Sequence, residues 1–388
     1  MAALPLSNAA EGICFGILAA VAAIRVPSTW RLYGWLVRSG PFLLLAALFA
    51  WQAISVAWSS NPSVRWSSGM SRMGLVPLML WPMSHRAGTL LAAMAGSGAV
   101  SASAVVGLNL RSEGVVRYSN STLLGKDLGM TAACMSAALV ASTVAVRRAS
   151  VGLRLARAAV AFACTAGLLV LSKRSEFLAV PAAYLSGLAA SGRTVLRDHP
   201  AKTAALAVAL AGAVIAAGTL PPRVRETTGQ LMEIARTGNA TTASLNDLTN
   251  GRAVPYLIAW EMFTDRPVTG WGARSFPSEV ARRCEELRTR PGCAAIDCTA
   301  IGTFSTSHNM VLDELSMRGA IGGLLLLALI TSLVRWSWQD PDGGIALALV
   351  VLWCVHGMMN GATVRGTHLA MLAMLATRAA LSAGVARR

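Results

Sequence analysis

Three short segments carry the residues whose types and spacing could do chemistry. Lys173 and Arg174 sit together in LSKRSEFL (171–178), Arg252 opens NGRAVPYLIAWEMFTDRPVTGWGARSF (from 250), and His308 with Asn309 opens HNMVLDELSMRGAIGG (308–323). Guanidinium and ammonium groups hold phosphate oxygens through charge-assisted hydrogen bonds. A neutral imidazole can take a proton near pH 7. Asn250-Gly251 marks a turn, so Arg252 is expected to start a helix whose free N–H groups and dipole would add to an anion site. Each residue also has a plainer reading: a snorkelling arginine at a membrane edge for Arg174, a solvated arginine for Arg252, a structural histidine for His308. Asp313 and Glu314 read as solvated charges or as groups orienting loop arginines. Pro267, Gly270 and Gly272 predict a tight turn, with Trp271 as an interfacial anchor. Gly319, Gly322 and Gly323 allow close helix approach. His356 and His368 are taken as structural. No Ser–His–Asp order, phosphate-binding glycine loop or paired-carboxylate motif stands out.

The elements that must position these groups are membrane helices. Of the 388 residues, 54% are hydrophobic and 13% charged, against about 25% charged in a soluble domain. The apolar residues form continuous runs, which predicts spanning helices and excludes the weak alternation of a transmembrane barrel. Eleven spans are expected, near 8–25, 41–58, 67–84, 88–108, 128–146, 155–172, 177–192, 202–220, 318–334, 343–358 and 367–385. Arg25 follows the first apolar run instead of preceding it, so no cleavable signal is read there. The net charge of +16 is concentrated in short connections, such as Arg147, Arg148, Arg154 and Arg157. That is the pattern of cytoplasmic loops, so nucleic acid is not an expected partner.

On this layout the C-terminus is cytoplasmic and the N-terminus lies outside. One long polar loop, 221–306, faces outward, carrying 10 basic and 9 acidic residues. A connection of that length predicts a functional element. Helical spacing appears at 254–263 and again at 306–317. The chain therefore divides into an N-terminal bundle (1–220), a loop with the site helices (221–317) and C-terminal helices (318–388). Cys14, Cys134, Cys164 and Cys354 fall in spans as packing residues. Cys284, Cys293 and Cys298 fall in the loop, where one disulfide is allowed and its pairing is open. No metal or other cofactor is read, and the cysteine and His308 spacing matches no common zinc site.

At these same residues the chain resembles the O-antigen ligase and polymerase superfamily of bacterial envelope glycosyltransferases. Arg174-Ser-Glu-Phe-Leu178 is similar to the ligase pattern of arginine, three residues, leucine. Gly251-Arg252, Trp260, Pro267, Gly270-Trp271-Gly272 and Phe276 are similar to the long-loop signature. His308-Asn309, nine residues, then Gly319-Ala320-Ile321-Gly322 is similar to the ligase histidine–glycine pattern, and SVAWSSNP (55–62) resembles the segment after an early span. The motifs occupy about 50 residues. The departures are a count of eleven spans where the family has twelve, and Arg318 before the glycine pair.

The resemblance implies an all-α, GT-C-like transmembrane bundle of about 11–12 spans with a large, mostly helical periplasmic loop, in the bacterial inner membrane. It implies transfer of a glycan from undecaprenyl pyrophosphate to a sugar hydroxyl of lipid A–core, without metal and with inversion. Arg174 and Arg252 would hold the pyrophosphate, and His308 would position or deprotonate the acceptor. Lys173, Arg266, Asn309 and Arg318 would contact substrate. The alternatives are an O-antigen or exopolysaccharide polymerase and, from a different class, a transporter of lipid-linked glycans. A transporter would tend to carry charges mid-span.

Overall fold

The computed structural model describes residues 39–61, 151–171, 174–191, 251–291, 293, 294, 296–339 and 344–360, with isolated positions or short runs at 17, 20, 21, 24, 96, 99–107, 135–137, 139, 140, 229, 236, 246 and 249. Among the described residues the regular elements are all helical. They are α1 (Gly40–Ile54, continued by a 3₁₀ turn Ser55–Trp58), α2 (Val151–Leu171), α3 (Arg174–Ser191), α4 (Ala253–Asp265), α5 (Phe276–Arg288), α6 (Cys298–Ile301), α7 (Met310–Gln339) and α8 (Gly344–Asn360).

Among the described residues, three stretches are long and apolar enough to cross a membrane: Gly40–Trp58, Val151–Leu168 and Met310–Trp338. Shorter apolar helices run over Leu178–Gly187 and Gly344–Met359. These five correspond to the expected spans at 41–58, 155–172, 318–334, 177–192 and 343–358. The spans expected at 67–84, 202–220 and 367–385 lie outside the described residues. Those at 8–25, 88–108 and 128–146 are touched only at the scattered positions given above, all helical.

α1 begins with Pro41 in its first turn, where a missing N–H costs no intrahelical bond. α3 packs on α8, and α7 packs on both α1 and α8. Their shared core contains Leu45, Leu48, Leu326, Leu329, Leu333 and Trp353. Small residues bring the backbones close: Ala179, Ala183 and Ala348 are fully buried. Gly167 of α2 is pressed so tightly that an added Cβ would stand 2.8 Å from the Cβ of Ala102. Cys164 is buried and Cys354 half-buried, and both join this core.

A second core belongs to the long polar segment. α4, α5 and α6 pack with Met317 of α7 around Val254, Ile258, Met262, Phe276, Val280 and Leu287. The pairing that the sequence left open is Cys284–Cys298, Cα atoms 5.6 Å apart, while Cys293 stays free and buried. The bridge ties α5 to the first residue of α6. Closing a loop with a sequence separation of 14 is worth about 3 kcal/mol. Cys284→Ser is expected to remove most of that, and thermal unfolding monitored by protease cleavage within 251–306 would register it. An unchanged midpoint would show the bridge to be dispensable.

Candidate active site

The site is organised by a break in α7. Gly319 interrupts the helix with φ 66 and ψ −166. Such a break frees carbonyls on one side and N–H groups on the other, and apolar surroundings require partners for all of them. The turn at 267–272 supplies most. Trp271 N donates to Ser316 O at 3.1 Å and Gly272 N to Met317 O at 2.8 Å. Ala320 N donates to Pro267 O at 2.7 Å and Ile321 N to Val268 O at 3.5 Å. The remaining carbonyl, Arg318 O, accepts from Trp51 Nε1 of α1 at 3.0 Å.

Three glycines make the insertion possible. A Cβ on Gly319 would stand 2.2 Å from Val268 O, one on Gly270 2.4 Å from Met317 C, and one on Gly272 2.4 Å from Ser59 Cα. All three have positive φ. The same turn binds the end of α1: Ala273 N donates to Ser55 O at 3.2 Å, Ser59 Oγ to Ala273 O at 2.7 Å, and Asn61 Nδ2 to Arg274 O at 3.0 Å. Three motif segments distant in sequence (55–61, 251–276 and 308–323) are thus one physical unit.

Trp271 departs from its expected role as an interfacial anchor. Its Nε1 donates to Met262 O at 2.9 Å, and the guanidinium carbons of Arg266 and Arg283 lie 4.1 and 4.8 Å from its ring centroid. Arg283 is buried, paired with Asp265 at 2.6 Å and Glu279 at 3.3 Å. Trp271 is an internal lock because its polar edge is satisfied inside the segment. Arg266, expected at the substrate, is exposed and stacked on this lock.

Arg252 is the N-cap residue of α4, as its position after Asn250-Gly251 predicts. The expected free N–H groups are not free, however. Ala253 N donates to Thr249 Oγ1 at 2.8 Å and Val254 N to Asn246 Oδ1 at 3.2 Å. Side chains preceding the helix cap it, so these N–H groups are not open to a ligand. Arg252 also hydrogen-bonds Tyr256 one turn on. Burial raises the Tyr256 hydroxyl above its usual 10.0; Arg252 opposes that rise and the nearby Asp313 charge adds to it. The phenol therefore stays protonated through neutral pH.

His308 stands at φ 61, an uncommon conformation for a residue with a side chain. The surrounding bonds hold it. Ser307 N donates to Asp313 Oδ1 at 2.7 Å, and His308 N to Thr306 Oγ1 at 3.4 Å. Asn309, expected to touch substrate, caps α7 instead, with Oδ1 accepting from Val311 N at 3.0 Å and Leu312 N at 3.1 Å. The half-buried imidazole meets Phe304 edge-on, ring centroids 5.0 Å apart. Phe304 Cζ in turn lies 3.9 Å from where a Cβ on Gly251 would be. Phe304 therefore bridges the Gly251-Arg252 turn to His308, and Asp313 lies between Ser307 and Tyr256 electrostatically.

The reading of Asp313 and Glu314 as solvated charges is corrected: each is 1% exposed. Glu314 forms a two-pronged ion pair with Arg318, itself 2% exposed. The Arg318 guanidinium is committed to its own helix here and braces the turn before Gly319. Asp313 Oδ2, by contrast, has no hydrogen-bond partner among the described residues. Removing one member of a buried pair leaves an uncompensated charge, so Glu314→Ala is expected to cost about 3–5 kcal/mol. Glu314→Leu with Arg318→Met should recover most of it in the same unfolding assay; failure to recover would show that the pair's charge is needed in itself.

Arg174 opens α3, but its side chain lies outside the described residues, as does Lys173 entirely. Sequence reasoning missed Tyr256, Phe304 and Arg283. Tyr256 had one available signal, its i+4 spacing from Arg252 on a predicted helix. Among the described residues no three His, Cys, Asp or Glu side chains are grouped to hold a metal ion. What the arrangement offers chemically is a guanidinium with a neutral phenol beside it and an imidazole held by a fixed turn. Compared with protein-family models and with curated proteins, the chain returns no match.

Proposed function

We propose that the protein is an O-antigen ligase of the bacterial inner membrane, working on the periplasmic side. In this reading an acceptor sugar hydroxyl of lipid A–core attacks the anomeric carbon of a glycan carried on undecaprenyl pyrophosphate. The new C–O bond forms as the bond to pyrophosphate breaks, with inversion. Undecaprenyl pyrophosphate leaves with the electron pair, and the hydroxyl proton passes to the His308 imidazole. Arg252, with Arg174 from the start of α3, steadies the charge developing on the leaving group.

The observation that carries the reading is the meeting of the Arg252 turn and the His308 turn across Phe304, on a scaffold built from three of the four segments that resemble the superfamily (55–61, 251–276 and 308–323). The Cys284–Cys298 bridge supports the periplasmic side, since disulfides persist in oxidising compartments. Asn309 and Arg318 enter as groups that shape the site, through the α7 cap and the pair with Glu314.

Acceptor choice tests it. The purified protein in vesicles would be given a lipid-linked glycan, with lipid A–core or a second lipid-linked glycan as acceptor. Product on lipid A–core is expected. Product only on the lipid-linked acceptor would replace the reading with a polymerase, and donor movement across the bilayer without any product would replace it with a transporter.

A further inference from the structure

α4 carries large apolar residues on more than one side. Val254, Ile258, Ala259 and Met262 are buried against the second core, yet Trp260 is 50% exposed and Val268, just past the helix end, 61%. Phe263 is half-buried, with its ring 5.4 Å from that of Trp260. The two acids of α4 are paired away from this stripe: Glu261 with Arg290 at 2.5 Å, Asp265 with Arg283 at 2.6 Å. α5 differs, with Arg282, Glu285, Glu286 and Arg288 all exposed and paired along its outer face. A helix with apolar residues on two faces calls for cover on both.

The neighbouring surface indicates what covers it. Val268 O accepts the Ile321 N–H, in the first turn of the apolar half of α7. Within two turns of that point, Leu324 and Leu327 are 65% and 60% exposed, as lipid-facing positions of a span would be. The exposed Val268 therefore adjoins a surface that already requires lipid, and Trp260 and Phe263 lie on the helix that leads into its turn. Tryptophan and phenylalanine suit the bilayer interface.

We propose that the Trp260–Phe263–Val268 face rests in the interfacial layer of the bilayer, so that α4 lies on the membrane while the charged face of α5 meets water. This inference does not depend on glycan transfer.

The test uses the full chain in vesicles of phosphatidylethanolamine and phosphatidylglycerol carrying a phospholipid with a photoactivatable group near the top of its acyl chain. Adducts would be located by mass spectrometry. The expected result is adducts at Trp260, Phe263 and Val268 with a yield like that at Leu324 and Leu327, and several-fold above Arg282–Glu286. Trp260→Glu should lower the yield at Phe263 and Val268 several-fold while the Cys284–Cys298 bridge still forms. Background yield at 260–268 while Leu324 and Leu327 react would overturn the proposal. So would cross-links between two copies at this face, which would assign it to protein contact.

Discussion

His308→Ala is expected to lower glycan transfer by about 10²–10⁴-fold, the usual contribution of a positioned base. The site explains why the loss should be confined to chemistry. His308 is half-buried, and its turn is held by bonds that Ser307, Thr306, Asn309 and Asp313 make. The variant should therefore insert in the membrane, form the Cys284–Cys298 bridge and unfold like the parent. Arg252→Ala is expected to cost a similar factor, because a guanidinium facing developing phosphate charge supplies on the order of 10²–10³-fold. Arg288→Ala removes an arginine that is 51% exposed and paired with Glu285, and should leave transfer unchanged. A His308→Ala protein with wild-type transfer would remove the base role; equal losses in all three variants would point to charge or expression instead.

Gly319→Ala is expected to do the largest structural damage of any single methyl group in the described residues. Two costs combine there. A residue with a Cβ at φ 66 carries about 1–3 kcal/mol of backbone strain. The methyl carbon would also stand 2.2 Å from Val268 O, within the turn whose carbonyls take the Ala320 and Ile321 N–H groups. Relieving that contact means withdrawing the 267–272 turn and leaving up to four backbone groups of α7 unmet, each costing about 1–3 kcal/mol where water is excluded. Part of this will be relaxed by straightening α7, so a loss of about 3–6 kcal/mol is the working figure. Detergent-induced unfolding would measure it, together with protease sensitivity at 266–274. By contrast, Gly323→Ala meets only the flexible end of Leu315, at 2.6 Å, and should be mild. Equal behaviour of the two variants would show that the break at Gly319 is not what holds the segments together.

The helical, membrane-crossing class was legible because its cause is local. About 20 apolar residues in a run are needed to span hydrocarbon, and runs such as those in α1, α2 and α7 are visible without knowing their neighbours. The tight turn at 267–272 and the start of α4 at Arg252 were legible for the same reason, from proline, glycine and asparagine. What escaped were the properties set by partners far along the chain. Asp313 and Glu314 look like ordinary charges in a first helical turn, but tertiary packing around α7 buries them. Trp271 looks like an interfacial anchor until Met262 O and two guanidinium groups enclose it. The amide donors before α4 look available until Asn246 and Thr249 fold back onto them. In sequence, Gly319, Gly322 and Gly323 read as allowing close approach and Gly270 and Gly272 as a tight turn, but their joint purpose, a turn inserted into a broken helix, exists only in three dimensions.

The central claim is that the Arg252 and His308 turns form one site that makes a glycosidic bond. The measurement that bears on it most directly is product formation by the purified, vesicle-reconstituted protein from a glycan on undecaprenyl pyrophosphate and lipid A–core, with the anomeric configuration of the new bond determined. The expected result is an inverted linkage formed in step with release of undecaprenyl pyrophosphate, abolished by His308→Ala and Arg252→Ala. A retained configuration, or product formed undiminished by both variants, would contradict the account.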